Sequence, residues 1–231
     1  MRAIHSIPAI VFGGLLLGVG CGGGPETGAE PAARSAGPPI ETAAEQPREG
    51  SIVVFLGDSL TAGYGLPQDQ AFPAVLERRL RASGIPVTAV NAGVSGDTTA
   101  GGLARLDWVL GQRPAVLVVG LGANDALRGQ PLENVEANLR AIVERGKAAG
   151  ARVLLLGMRI PTNYGPDYGE GFAAIYPRVA KSLGVELVPF LLDGVGGHAG
   201  LNQEDGLHPN ARGTEIVADN VLPHLKRVLK Q

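Results

Sequence analysis

The chain has 231 residues, 45% of them hydrophobic and 18% charged, and a net charge of −2. That composition suits a sizeable core, is far from that of a disordered chain, and offers no basic face for nucleic acid. A single cysteine excludes both an internal disulfide scaffold and a Cys-rich zinc site.

Residues 1–20 carry Arg2 near the start and then run apolar from Ile7 to Gly20. The run is short and rich in glycine, so it reads as a secretory signal rather than a membrane span or a core helix. It ends at Val19-Gly20-Cys21, with a small residue before the one cysteine. This resembles the bacterial lipoprotein signal, although Gly18 stands where that signal usually has Leu. The resemblance implies that Cys21 is lipidated as the first residue of the mature chain. The protein would then be exported and anchored to a membrane of the bacterial cell envelope. Residues 21–50 are the expected tether. Beyond Cys21 they are Gly, Pro, Ala and Glu with one large apolar residue, Ile40, and cannot bury enough to offset their ordering entropy. As a coil such a segment spans about 30 Å, and stretched as polyproline II roughly 90 Å. Its excess of acid comes from Glu26, Glu30, Glu41, Glu45 and Glu49 against Arg34 and Arg48. Residues 51–231 are left with equal numbers of acidic and basic side chains. Bulk charge therefore selects no macromolecular partner.

Residues 51–231 read as one domain. Continuous apolar runs at 52–56, 87–90, 115–121, 152–156 and 185–190 have the length of strands buried on both faces. Between them, 72–83 and 132–149 place apolar residues on one helical face, and further helices are expected at about 98–111, 170–183 and 210–230. Strand and helix in alternation argue for a parallel sheet with helices on both sides. Ligands of such sheets bind beyond the carboxyl ends of the strands.

Chemistry-bearing residues sit at those ends. Gly57-Asp58-Ser59-Leu60 puts a hydroxyl at a strand-to-helix turn, near the free N–H groups of a helix start. It is not a Gly-x-Ser-x-Gly elbow, because Leu60 and Thr61 follow. A helix-capping serine is the plain alternative. After the second strand, Asn91 to Thr99 holds Gly93 and Gly96, with Asp97 or Thr98 able to cap the next helix. After the third comes Gly122-Ala123-Asn124-Asp125, where an amide could face a developing oxyanion or simply close a turn. Before the last helix comes Asp205-Gly206-Leu207-His208-Pro209-Asn210, with Pro209 suited to the helix start. An Asp three residues before a His can hold one ring nitrogen and leave the other free. His5, His198 and His224 lie in the signal, a Gly-rich loop and the last helix.

The order of these four motifs resembles the SGNH-hydrolase (GDSL esterase/lipase) family over about residues 51–229. The strings FLGDSLTAGYGL, NAGVSGDTTAGGLARLDW, GANDALRG, NYGPDYGEGFAAIYP and DGLHPN are similar to its bacterial thioesterase/lysophospholipase/arylesterase branch. The resemblance implies a three-layer α/β/α sandwich with a five-stranded parallel, flavodoxin-like sheet. It implies Ser59 as nucleophile, His208 as general base then acid, and Asp205 as its orienting partner. The oxyanion hole would be the N–H of Ser59, the N–H of Gly96 and the side-chain amide of Asn124. Gly96 is preferred to Gly93 because the family's glycine lies in the Ser-Gly-Asp-Thr string. Asp58 would brace the nucleophile turn. No metal or cofactor is implied. An acyl pocket is expected from the loops after strands three and four, with Leu127, Ile160, Pro161 and Tyr164 as candidate wall residues. The implied substrates are carboxylic esters, thioesters or lysolipids. Two other readings stand beside this one: a carbohydrate O-acetylesterase, poorly matched by a chain whose one tryptophan, Trp108, is expected on a helix, and a non-catalytic binding lipoprotein. Oligomeric state leaves no signature in the sequence.

Overall fold

The computed structural model describes residues 50–231. The signal, Cys21 and all but the last residue of the tether lie outside the described residues. No described helix is long and apolar enough to cross a membrane.

Five strands form one parallel sheet: β1 (Ser51–Gly57), β2 (Val87–Gly93), β3 (Val116–Gly120), β4 (Arg152–Leu156) and β5 (Glu186–Val188). Their spatial order is β2-β1-β3-β4-β5. The central strands are buried on both faces: Val53 to Leu56 and Val116 to Val119 are at most 1% exposed. That burial explains why they read as unbroken apolar runs rather than as alternation. The fifth strand is shorter than the run 185–190 suggests. Pro189 has no N–H for the ladder, so the chain leaves the sheet after Val188.

Two helices cover one face, α2 (Phe72–Ala82) against α8 (Ala211–Leu229). The other carries α3 (Thr99–Ala104), α6 (Leu132–Ala148) and α7 (Pro166–Leu183). The architecture is thus the three-layer α/β/α sandwich. Each long helix buries one stripe: Phe72, Val75, Leu76 and Leu80 in α2, and Val135, Leu139, Ile142 and Val143 in α6. A fully buried side chain of this size contributes about 1.5–3 kcal/mol. Phe55 of β1 meets Phe72 of α2 edge-on at 5.7 Å and so joins sheet to helix, while Phe172 and Tyr176 pair edge-on at 5.5 Å within α7.

The helix expected over 98–111 is two. It breaks at Arg105, which takes φ −100° and ψ 8° between α3 and α4 (Leu106–Gly111). Two single-turn helices, α1 (Ser59–Ala62) and α5 (Ala123–Leu127), are too short to leave a periodic pattern. Helix α7 starts at Pro166, four residues before the expected 170, because proline suits the first helical turn. At the last helix Pro209 is not in the first turn. Asn210 is the cap, accepting from the N–H groups of Arg212 and Gly213, while Pro209 pairs with Asn202 in a short antiparallel bridge.

The chain runs from β1 outward to β2 and then returns to the other side of β1 as β3. That reversal is the topological switch point, so the loops after β1 and β3 diverge and leave a crevice at their carboxyl ends.

Candidate active site

Ser59 is the first residue of α1, directly beyond β1. It does not cap that helix. Asp58 does, its carboxylate accepting from the N–H of Leu60 at 3.0 Å. Ser59 is left with its side chain free for other partners. The turn is held from the next strand by Asn91, whose side-chain amide donates to the carbonyl of Thr61 at 2.8 Å. Asp58 is buried, and burial pushes its carboxyl up to about 6. The bond from Leu60 N–H and the attraction of His208 oppose that shift only in part.

His208 arrives from the loop before α8. Its Nε2 lies 2.8 Å from Ser59 Oγ, joining residues 149 positions apart. Its Nδ1 lies 2.5 Å from Asp205 Oδ2. The other carboxylate oxygen of Asp205 accepts from the N–H groups of Leu207 and His208 at 2.9 and 3.0 Å. The His208 N–H, its ring bond and the Leu207 N–H together hold Asp205 at about 2, so it is an ionised acceptor. An ionised carboxylate can only accept, so the ring proton sits on Nδ1. Nε2 is then the free base that accepts the Ser59 hydroxyl. Tyr64 covers one side of the imidazole, with ring centroids 4.7 Å apart and planes tilted by 41°.

Gly96 and Asn124 approach from the neighbouring strand ends. The loop after β2 turns at Val94–Asp97, closed by the Asp97 N–H on the carbonyl of Val94 at 3.0 Å. Gly96 takes φ +80° in that turn, a conformation that favours glycine. Thr98 caps α3, accepting from the N–H of Gly101 at 3.1 Å. Asn124 lies in the first turn of α5 rather than in a bare loop. Its amide nitrogen gives one hydrogen to the carbonyl of Asp97 at 3.0 Å and has a second to offer. Asp125 is buried and bonds α5 to α3, accepting from Thr99 N and Thr99 Oγ1 at 2.8 and 2.7 Å.

Ser59, Gly96, Asn124 and His208 line one cleft of about 710 Å³. Gly93 does not reach it. A side chain there would meet the backbone nitrogen of Ala62 at 2.2 Å, so Gly93 serves the close packing of β2 on α1. Of the four candidate wall residues, Leu127, Ile160 and Pro161 line the cleft. Tyr164 is not among the lining residues; its hydroxyl donates to the carbonyl of Leu127 at 3.2 Å and so props the wall from behind. Tyr168 likewise donates to the carbonyl of Gln130 at 2.7 Å. The sequence reading missed Tyr64, Met158, Arg159, Phe190 and Leu207, all of which line the cleft. Three of them, Met158, Arg159 and Phe190, lie two or three residues beyond β4 and β5, where the strand-end rule would have found them. The Arg159 guanidinium sits 5.1 Å from the centre of the Phe190 ring.

The arrangement can perform acyl transfer. A hydroxyl is bonded to a free imidazole nitrogen, the imidazole is oriented by an ionised carboxylate, and Gly96 and Asn124 line the same largely apolar cleft.

Comparison with known proteins gives the same picture. Esterase TesA of Pseudomonas aeruginosa is 43% identical over 185 residues, covering 80% of this chain and 92% of that one. Thioesterase 1/protease 1/lysophospholipase L1 of Escherichia coli K12 is 43% identical over 168 residues, covering 72% and 79%. The structure of the psychrotrophic esterase EstA from Pseudoalteromonas sp., inhibited by monoethylphosphonate, superposes with a TM-score of 0.74 at 34% identity, covering 78% of this chain and 100% of that one. The model of the GDSL-like lipase/acylhydrolase family matches residues 55–216. With that match and these relatives, the chain belongs to the GDSL-like lipase/acylhydrolase family.

Proposed function

We propose that the protein is a serine esterase that hydrolyses carboxylic esters or thioesters through an acyl-enzyme on Ser59. The observation that carries this reading is the continuous chain Ser59 Oγ, His208 Nε2, His208 Nδ1, Asp205 Oδ2, with links of 2.8 and 2.5 Å, opening on an apolar cleft. Ser59 Oγ attacks the acyl carbonyl while Nε2 takes its proton. The carbonyl oxygen becomes an oxyanion, held by the N–H of Ser59, the N–H of Gly96 and the amide of Asn124. Collapse breaks the bond to the alcohol or thiol, which leaves with the proton from Nε2. Water then attacks the acyl-enzyme, gives its proton to Nε2, and the acid departs as Ser59 regains its hydrogen.

The walls at Leu127, Met158, Ile160 and Phe190 favour an uncharged acyl chain. An O-acetylesterase acting on carbohydrate gains no support from the cleft, since Trp108 is exposed on α4 and absent from the lining residues. A purely binding role would leave the bonded Ser59–His208–Asp205 set without a purpose. A fluorophosphonate probe tests the reading. Labelling of Ser59 in folded protein, abolished by Ser59→Ala, is expected; folded protein that does not label returns the chain to the binding class. A panel of p-nitrophenyl esters of rising chain length, acyl-CoA, lysophospholipid and acetylated xylan then ranks the substrates.

The same reading makes residues 51–231 the catalytic domain and residues 1–50 its address, with Cys21 lipidated at the cell envelope. Support comes from the apolar run ending at Gly20-Cys21 and the composition of residues 22–50. Metabolic labelling with a fatty-acid analogue should mark the wild type and not Cys21→Ser, and the variant should leave the membrane fraction.

A further inference from the structure

We infer that Arg105 is a positioning residue for the oxyanion site, tying together the strand-end segments that carry its three donors. The inference rests on the esterase reading above.

Arg105 stands at the break between α3 and α4, where its backbone is not helical. The break turns its side chain back toward the sheet. Nε donates to Asp97 Oδ2 at 2.7 Å, and Nη2 donates to the carbonyl of Gly57 at 3.0 Å. Gly57 precedes Ser59 by two residues, so this bond fixes the end of β1 from which α1 starts. The same carbonyl accepts the N–H of Val94, the first residue of the turn that holds Gly96. Asp97 follows Gly96 directly, and its backbone carbonyl accepts the amide of Asn124. One guanidinium is therefore bonded to the Ser59 segment and to Asp97, and Asp97 in turn holds both the Gly96 turn and the Asn124 side chain.

The pair is well shielded. The Arg105 and Asp97 side chains are 22% and 10% exposed. Removing one member of such a pair leaves a partly desolvated charge without its partner. Loss of Arg105 would also do something specific to catalysis. It would leave the Asp97 carboxylate uncompensated beside donors that must stabilise a developing negative oxygen. The position of Asp97 is built for the pair: a side chain on Gly101 would stand 1.9 Å from Asp97 Oδ1, so only glycine there leaves the carboxylate in place.

The test uses Arg105→Met, Arg105→Lys and the double variant Arg105→Met with Asp97→Asn. Turnover of p-nitrophenyl butyrate, the rate of Ser59 labelling by a fluorophosphonate, and Tm are measured on each. Arg105→Met is expected to lose tenfold to a hundredfold in kcat and in labelling rate together, with KM within twofold. Arg105→Lys keeps the charge but reaches fewer acceptors, and should fall between Arg105→Met and the wild type. Neutralising Asp97 as well should recover several-fold of the loss, a rescue that a merely structural role would not give. Wild-type kcat in Arg105→Met overturns the inference, as does a double variant no faster than the single. Should Arg105→Met not fold, Arg105→Lys decides: reduced kcat at an unchanged Tm supports the role, and unchanged kcat overturns it. Wild-type protein that does not label sinks the esterase reading itself, which is a separate result.

Discussion

Tyr64 lies against the imidazole of His208, centroid to centroid 4.7 Å, at the mouth of the cleft. Tyr64 is about half exposed, so a substitution there opens no buried core. An aromatic contact of this kind contributes about 0.5–1.5 kcal/mol, or roughly twofold to tenfold in rate if it is spent on orienting the base. Tyr64→Ala should therefore lose two- to tenfold in kcat/KM with Tm little changed. Tyr64→Phe should stay near wild type, since the ring makes the contact. Steady-state kinetics on both variants decides; a loss in Tyr64→Phe equal to that in Tyr64→Ala would assign the effect to the hydroxyl instead.

The two oxygens of Asp205 have different jobs, and this makes Asp205→Asn a sharper variant than Asp205→Ala. Oδ1 accepts two backbone N–H groups, from Leu207 and His208, while Oδ2 faces His208 Nδ1. An amide side chain must keep its oxygen on the backbone donors, which turns its nitrogen toward Nδ1. That nitrogen donates, so the ring proton is driven to Nε2, which can then no longer accept from Ser59. Asp205→Asn should lose about a hundredfold or more in kcat and be slower than Asp205→Ala. Equal rates would show that the tautomer is not what Asp205 controls.

The pH dependence of the wild type follows from the same contacts. Asp205 is held at about 2, so its stabilising share, present above 3.8, is lost only as the pH falls through about 2. Protonation of Asp205 therefore cannot be the reason for an activity loss in mild acid. A general base must be unprotonated to take the Ser59 proton, so a rate that falls with acid is the signature expected of a base. A flat profile of kcat/KM through mild acid, in folded protein, would remove His208 from the role of base.

Much of this site was legible in the sequence, because its chemistry sits at strand ends and strands leave strong apolar runs. Ser59, Gly96, Asn124, Asp205 and His208 each follow such a run or precede the last helix, and the structure brings all five to one cleft or its edge. What the sequence hid is set by contacts between distant residues. The 149-residue separation of Ser59 and His208 leaves no local trace. At the break the Arg105 guanidinium reaches back 48 positions to Gly57, a contact that a helix-length window of residues cannot register. Tyr164 sat on the expected wall loop, yet its hydroxyl found the carbonyl of Leu127, so loop membership did not fix which way the ring would serve. Tyr64 was part of a quoted motif without being given a role, since stacking on an imidazole is a tertiary fact.

Asn124 tests the oxyanion site from the donor side. One amide hydrogen goes to the Asp97 carbonyl, which leaves the second for the proposed oxyanion. Losing a donor of this type costs about 2.7–4 kcal/mol of transition-state stabilisation, a hundredfold to a thousandfold in kcat. Asn124→Ala should show that loss with KM little changed and Ser59 still bonded to His208. Because the side chain is only partly buried and packs no core, Tm should fall by a few degrees at most. Wild-type turnover in Asn124→Ala would remove Asn124 from the site.

Asp58 makes a different prediction, about stability. Its carboxyl is raised from 3.8 to about 6 by burial, so the folded state holds the proton more tightly than the unfolded chain does. The sign follows from linkage: the share of stability tied to that proton is full below 3.8 and is lost as the pH rises through about 6. At neutral pH the folded protein carries a buried charge, compensated in part by the Leu60 N–H. Asp58→Asn keeps an oxygen for that N–H but cannot ionise. Between pH 4 and pH 8 the wild type should therefore lose stability relative to the variant, by at most about 3 kcal/mol at 1.36 kcal/mol per unit. Urea unfolding of both proteins at pH 4, 6 and 8 measures the gap directly. Parallel stability curves would mean that Asp58 keeps its proton, or its charge, equally in the folded and unfolded chains, and that burial at the N-terminus of α1 does not strain the nucleophile turn.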